Sequence, residues 1–187
     1  MMGTVEPDVV DLLLAQHTEI EGLFGAVLTA LGERKRELFQ ELVRLLAVHE
    51  AAEEELIHPR VRVEVTAADP VVEQRLREEQ DAKRKLADLY DLGVEHVDFD
   101  RGLTELARDV LEHAAQEEQE EFPYLRSVLT GPEMQRLANA VRAAQALAPT
   151  RPHPSVPPSA VANLLVGPPL AVFDRVRDAI RDAGTDR

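Results

Sequence analysis

The chain has no cysteine, no tryptophan and few aromatics of any kind, which make up 4% of its 187 residues. Without cysteine there is no disulfide framework, thiolate metal ligand, iron–sulfur cluster or thiol nucleophile. Positive charge is also scarce: 21 Lys and Arg stand against 35 Asp and Glu, a formal net charge of −14. A phosphate backbone needs a basic footprint, so this balance argues against nucleic acid as the main partner and against an anionic membrane. No apolar run approaches the length of a membrane span. Met1 to Val10 lack the basic and apolar regions of a secretory signal. The resulting expectation is a soluble, cytoplasmic protein. Neither a nucleophile elbow nor a phosphate-cradling glycine loop occurs, so Ser/His/Asp catalysis and nucleotide binding have no footing.

What is present favours helices. Apolar residues make up 44% and charged residues 30%, and the commonest types, Ala, Leu, Glu and Arg, are strong helix formers. The length suits one domain with a sizeable core. Four long amphipathic segments follow one another. In the first, about residues 7 to 31, Val10, Leu13, Leu14, Ile20, Phe24, Leu28 and Leu31 share a face with His17. The second, about residues 35 to 60, places Leu42, Leu45, Leu46 and Leu56 beside His49 and carries Pro59 near its end. Asp69 and Pro70 signal the start of the third, which ends at Gly93 and turns Val72, Leu76, Ala87 and Tyr90 inward. The fourth, about residues 99 to 129, brings Leu103, Leu106, Val110 and Tyr124 near His113. Gly131 and Pro132 interrupt it before a shorter helix.

Helices of similar length on short connections favour antiparallel neighbours. The expected fold is an all-α, up-down-up-down four-helix bundle over residues 1–146. Five prolines between Pro149 and Pro158 then read as an extended linker. Leu164, Leu165, Leu170, Val172, Phe173, Val176 and Ile180 mark a short amphipathic tail within residues 147–187. That tail is read either as a strap or homodimer contact, or as a lid or partner-binding helix.

Chemistry concentrates in three histidines, each followed four residues later by a glutamate: His17 and Glu21, His49 and Glu53, His113 and Glu117. A four-residue offset keeps both side chains on one helix face. Such pairs are common on exposed surfaces, where they contribute little, but here each histidine shares the apolar stripe. Gln80 lies between the second and third, so that His17, His49, Gln80 and His113 are separated by 32, 31 and 33 positions. This spacing is compatible with one layer crossing the bundle. Buried imidazoles and carboxylates need either mutual hydrogen bonds or a positive charge among them. With nitrogen and oxygen donors and no thiolate, iron, manganese or zinc fits.

Glu53 and Glu117 are natural bridging carboxylates. Glu50 lies on the edge of the His49 face. Glu21 reads as a supporting acceptor or an ion-pair partner for His17. Glu118 and Glu120 stand close to Glu117, and α-helical phase turns Glu120 inward. His58 falls almost opposite His49 on an α-helical wheel and reads as a helix-end residue. His96 in a connection and His153 in the proline linker are expected to face solvent.

These residues resemble the hemerythrin-like, or HHE cation-binding, family. The resemblance spans about residues 8 to 145. It rests on His17 in LLLAQHTEIEGLF, His49 and Glu53 in LLAVHEAAEEELIHPR, and His113 and Glu117 in VLEHAAQEEQEEFPYL. It implies a bundle holding a non-haem di-iron centre, with His17, His49, Glu53, His113 and Glu117 as ligands and Glu50 as a further one in some members. It also implies binding or sensing of iron, oxygen, peroxide or nitric oxide. The third helix departs from the pattern. Gln80 stands where the resemblance implies a histidine, and Lys83 or Arg84 where it implies a second. Gln80 offers only a carbonyl oxygen, a poorer ligand than imidazole, while Lys83 could neutralise a carboxylate. The expected cofactor is therefore iron, as two ions in an asymmetric centre completed by Glu79, Glu50 or water, or as one. Oxygen or peroxide is the expected small partner, and reversible oxygen carriage is disfavoured. Two further classes stay open: a peroxide-consuming or ferroxidase enzyme at the same site, and a metal-free helical interaction protein.

Overall fold

The structure is a computed structural model that describes residues 6–59, 70–147, 174 and 176–178. It is an all-helical bundle of four long helices in up-down-up-down order, with further helices at the C-terminal side. Helix α1 spans Val9–Thr29, α2 spans Gly32–Ala52 and α3 spans Pro70–Leu92. Helix α4 spans Phe99–Gln116, followed by α5 over Phe122–Val128 and α6 over Gly131–Leu147. Two π-helical turns interrupt this pattern, at Glu53–Ile57 after α2 and at Glu117–Glu121 between α4 and α5.

Helix α1 opens with a reciprocal cap. The Asp8 carboxylate accepts from the Asp11 N–H, and the Asp11 carboxylate accepts from the Asp8 N–H, both at 3.0 Å. This satisfies two of the donors that a helix start leaves without partners. Arg126 binds the same Asp11 at 2.6 Å and ties α5 to the start of α1. Asp8→Ala is expected to destabilise the fold by about 1 kcal/mol, while Asp8→Asn keeps most of the cap. Urea denaturation of the two variants checks this. Gly93 ends α3 at φ +82°, a conformation that costs a residue with a Cβ but suits a helix C-terminus. Where α3 and α4 meet, a Cβ on Gly102 would lie 2.9 Å from Leu89 Cδ2, so the glycine permits the close approach.

The apolar core falls into two clusters. One gathers Ile20, Phe24, Leu42, Leu46, Leu86, Phe99, Leu103 and Leu106, with Val176 of the C-terminal segment among them. The other gathers Val10, Leu13, Ile57, Phe122 and Leu125 with Met134, Leu137 and Val141 of α6. Buried polar residues lie between them along the chain: Gln16 and His17 on α1, and His49, Glu50 and Glu53 on α2 and its π turn. The apolar clusters above and below exclude water from this layer.

Two parts of the expected stripes shift. Leu31 precedes α2 and is 84% exposed, outside the core. On α3 the buried face runs through Glu79, Leu86 and Leu89, while Gln80, Arg84, Asp88 and Asp91 face solvent. The pair Leu86 and Leu89 buries more apolar surface than Ala87 with Tyr90, and this turns the helix by about one residue from the expected phase. The side chains of Val72 and Leu76 lie outside the described residues, as do the proline linker with His153 and most of the tail.

Candidate metal centre

The layer is built from α1, α2, α4 and the two π turns. Each π turn is closed by a five-residue hydrogen bond: His58 N–H to the Glu53 carbonyl and Phe122 N–H to the Glu117 carbonyl. The extra residue in the turn changes the phase of everything after it. In an α-helix His58 would lie about 180° from His49; one wide turn brings it back to about 80°. His58 is accordingly buried, with Nε2 3.7 Å from Glu79 Oε1. The same shift turns Glu121 inward, leaves Glu120 exposed and reverses the expectation from α-helical phase. Six residues after each of Glu53 and Glu117 stands a proline, Pro59 and Pro123. A proline lacks the N–H for the α-helical ladder and crowds the carbonyl four residues back. The repeated His-x3-Glu-x5-Pro pattern is the sequence signal from which both wide turns, and hence His58 and Glu121, could have been found.

Two groups of ligand atoms result, each with its atoms within 4.8 Å of one another: His17, His49, Glu53 and Glu117, and His58, Glu117 and Glu121. Glu117 belongs to both. His113 adjoins them, its Nε2 3.2 Å from Glu117 Oε1. The pairs within α2 and α4 are therefore in place, with His49 Nε2 3.4 Å from Glu53 Oε1. His17 instead faces α4: its Nε2 lies 3.5 Å from Glu117 Oε2 and its Nδ1 2.8 Å from Glu118 Oε1. Glu21 is exposed, and Glu118 holds the supporting position expected of it. Gln80 is exposed too, so the third helix meets the layer with Glu79. Glu50 is buried beside Lys83, whose Nζ lies 3.6 Å away and also binds Glu54. Together Glu50, Glu54 and Glu79 form an acidic group that Lys83 partly neutralises.

The imidazole geometry points to a cation. His49 Nδ1 donates to Gln16 Oε1 at 3.0 Å, and His17 Nδ1 donates to Glu118. Each bond leaves the lone pair on Nε2, and the two Nε2 atoms face each other at 3.1 Å. Two lone pairs at that distance repel unless a proton or a metal lies among them. Phe122 stacks on His17 at 5.5 Å between ring centroids and holds its plane. Several buried atoms also lack hydrogen bonds: Glu53 Oε1, Glu117 Oε2, Glu79 Oε1 and His113 Nδ1. Orphaned donor atoms converging on one region are what a metal would satisfy. The residues present therefore fit a metal ion.

Charge in the metal-free layer is carried by protons. Burial, reinforced by His17, holds His49 down to about 3, so its ring is neutral. Burial and the neighbouring Glu117 push Glu53 well above the usual carboxylate range. Burial, with Glu50, pushes Glu79 up to about 8. For His113 burial opposes the charged form, but the Glu117 carboxylate prevails and raises it to about 9. Glu117 is likewise opposed by burial, yet His113 and His17 hold it well below its ordinary value. His113 contributes its stability fully below about pH 6.5 and loses it as pH rises through about 9. Glu79 binds its proton more tightly folded than unfolded, so stability also falls from about pH 4.5 to 8. Both slopes have the same direction above neutrality, where the His49 and Glu117 shifts no longer act. The urea midpoint of EDTA-treated protein is thus expected to fall between about pH 7 and 9; a rising midpoint would contradict these assignments.

The hemerythrin HHE cation binding domain model matches residues 8–125. A DNA nickase of Nostoc sp. is 28% identical over 137 residues, which are 72% of this chain and 38% of that protein. A hemerythrin-like protein of Schizosaccharomyces pombe is 26% identical over 134 residues, 71% of this chain and 66% of its own. The chain thus spans less than two thirds of the length of either relative. A hemerythrin HHE cation binding domain-containing protein from Mycobacterium kansasii shares the fold, with a TM-score of 0.66 and 19% identity over 95% of this chain and 99% of that one. The family match covers most of the bundle and all of His17, His49, His58, Glu53, Glu117 and Glu121. The chain belongs to the hemerythrin HHE cation-binding family and is a metal-binding hemerythrin-like protein.

Proposed function

We propose that the chain holds a non-haem two-iron centre and binds or senses oxygen or reactive oxygen and nitrogen species. The observation that carries this reading is the pair of ligand groups sharing Glu117. His17, His49 and Glu53 would hold one ion and His58 and Glu121 the other, Glu117 would be available to both, and His113 pairs with Glu117. A donor set of imidazole and carboxylate without sulfur suits iron. Bound iron would supply one-electron redox chemistry toward small ligands.

The protein's own part is positioning and exclusion. Gln16 and Glu118 fix the tautomers of His49 and His17 so that both Nε2 atoms face inward. Glu117 stays ionised between His113 and His17. Lys83 offsets the negative charge of Glu50 and Glu54 at the edge of the layer. Above and below, the two apolar clusters keep bulk water out, which strengthens each electrostatic contact inside.

Anaerobic reconstitution with ferrous iron tests the reading. Two irons per chain, with ultraviolet–visible charge-transfer bands altered in His113→Ala, are expected. Absence of bound metal would overturn it. Gas evolution from peroxide by the loaded protein, abolished in Glu53→Ala, would make the centre a peroxide-consuming enzyme instead of a binder.

A further inference from the structure

Between α3 and α4 a recess of about 250 Å³ opens beside the layer. Its rim carries Glu78 and Asp81 from α3 and Asp109 and Glu112 from α4; Lys85 pairs with Asp109 and Arg84 with Asp81. Its floor is Glu79, Glu50 and His113. Glu79 is only 4% exposed, and its Oε1 makes no hydrogen bond; His113 Nδ1 has none either, while its Nε2 pairs with Glu117. From that floor the path continues inward without a gap in ligand atoms. Glu79 Oε1 lies 3.7 Å from His58 Nε2, and His113 Nε2 lies 3.2 Å from Glu117 Oε1.

We propose that this recess is the loading port of the centre, where the acidic rim collects a hydrated divalent cation and Glu79 passes it to His58 and Glu117. The inference rests on the metal-binding reading above and adds a route and a transfer carboxylate. The volume accommodates a cation with several waters. A low-dielectric cleft lined by one sign of charge concentrates the opposite ion and speeds its arrival. Another opening near the layer, a groove between α1 and α4 lined by His17, Glu21 and Glu118, is less suited. Entry there would break the 2.8 Å bond from His17 to Glu118 that orients the imidazole. At the α3–α4 recess the Lys85–Asp109 ion pair crosses the rim, and opening it leaves the imidazoles of the layer in place.

The experiment mixes metal-free full-length protein with anaerobic ferrous ion in a stopped-flow instrument and follows uptake against a chromogenic chelator. The rim variant Asp81→Asn/Glu112→Gln is expected to take up iron about tenfold more slowly at low ionic strength, with a weaker dependence on added salt. Its final iron content stays that of the wild type. Lys85→Glu is expected to load faster, an effect that damage to the fold would not produce. Glu21→Gln, at the other groove, keeps the wild-type rate. Unchanged rates in the rim variant and Lys85→Glu at full occupancy, or slowing in Glu21→Gln instead, would overturn the port and leave the centre intact. No uptake by the wild type would overturn the centre and the port with it.

Discussion

Glu117→Gln is expected to empty both positions of the proposed centre at once, because Glu117 belongs to both candidate groups. His58→Ala, which touches only the second group, is expected to reduce two metals per chain to one. At an ion concentration about a hundred times the dissociation constant, each site stabilises the folded state by about 2.7 kcal/mol. For a chain of this size each kcal/mol moves the melting midpoint by about 2–4 °C. Saturating the wild type is therefore expected to raise Tm by roughly 10–20 °C over the EDTA-treated protein. His58→Ala should keep about half of that rise, and Glu117→Gln none. Calorimetry with and without EDTA, alongside elemental analysis, measures both quantities. Glu117→Gln also removes the carboxylate that holds His113 up at about 9. Burial then opposes only Glu50 and Glu79, and the His113 imidazole resonance should titrate lower than in the metal-free wild type.

Glu53→Met is expected to act in opposite directions on stability and on binding. Glu53 is 2% exposed, its Oε1 has no hydrogen bond, and burial pushes its carboxyl well up. Methionine has a similar volume and carries no polar atom that needs a partner. His49 is not orphaned by the change, since Gln16 still accepts from its Nδ1. The metal-free protein should therefore gain roughly 1–3 kcal/mol, read as a higher urea midpoint in EDTA. The same variant loses the first metal position. A stability loss in the metal-free state would instead mark Glu53 as part of a satisfied structural network. A gain, coupled to lost binding, is the signature of a buried carboxylate kept for its chemistry.

Much of the bundle was legible because its signals are local. Val10, Leu13, Ile20 and Phe24 on α1, and Leu42, Leu45 and Leu46 on α2, recur at helical spacing, and they are buried as that spacing requires. Gly93 ends α3 for a reason visible in one residue. On α3 the spacing points to Gln80 and offers Glu79 only as a neighbour that could complete the centre, whereas Glu79 is the residue that faces the layer. A 100° step between neighbours leaves the phase to whichever apolar pair packs better, and Leu86 with Leu89 decides it. His58 and Glu121 were hidden for a different cause. A wheel drawn at α-helical pitch carries no wide turns, and a single π turn rotates every later residue by about 100°.

The choice of partners lay further still from sequence reach. Glu21 and Glu118 are both glutamates near His17 in an idealised bundle, yet His17 bonds Glu118, 101 positions away, at 2.8 Å. By itself the sequence determined the helical class, the absence of sulfur chemistry, the inward His–Glu pairs of α2 and α4 and the family, because each depends on residue type and short-range spacing. Only the tertiary structure decided that Glu117 joins two ligand groups, that His58, Glu79 and Glu121 enter the layer and that Gln80 and Glu21 stay outside it. These outcomes depend on helix rotation and on which helices are neighbours, and both are settled by packing across the bundle.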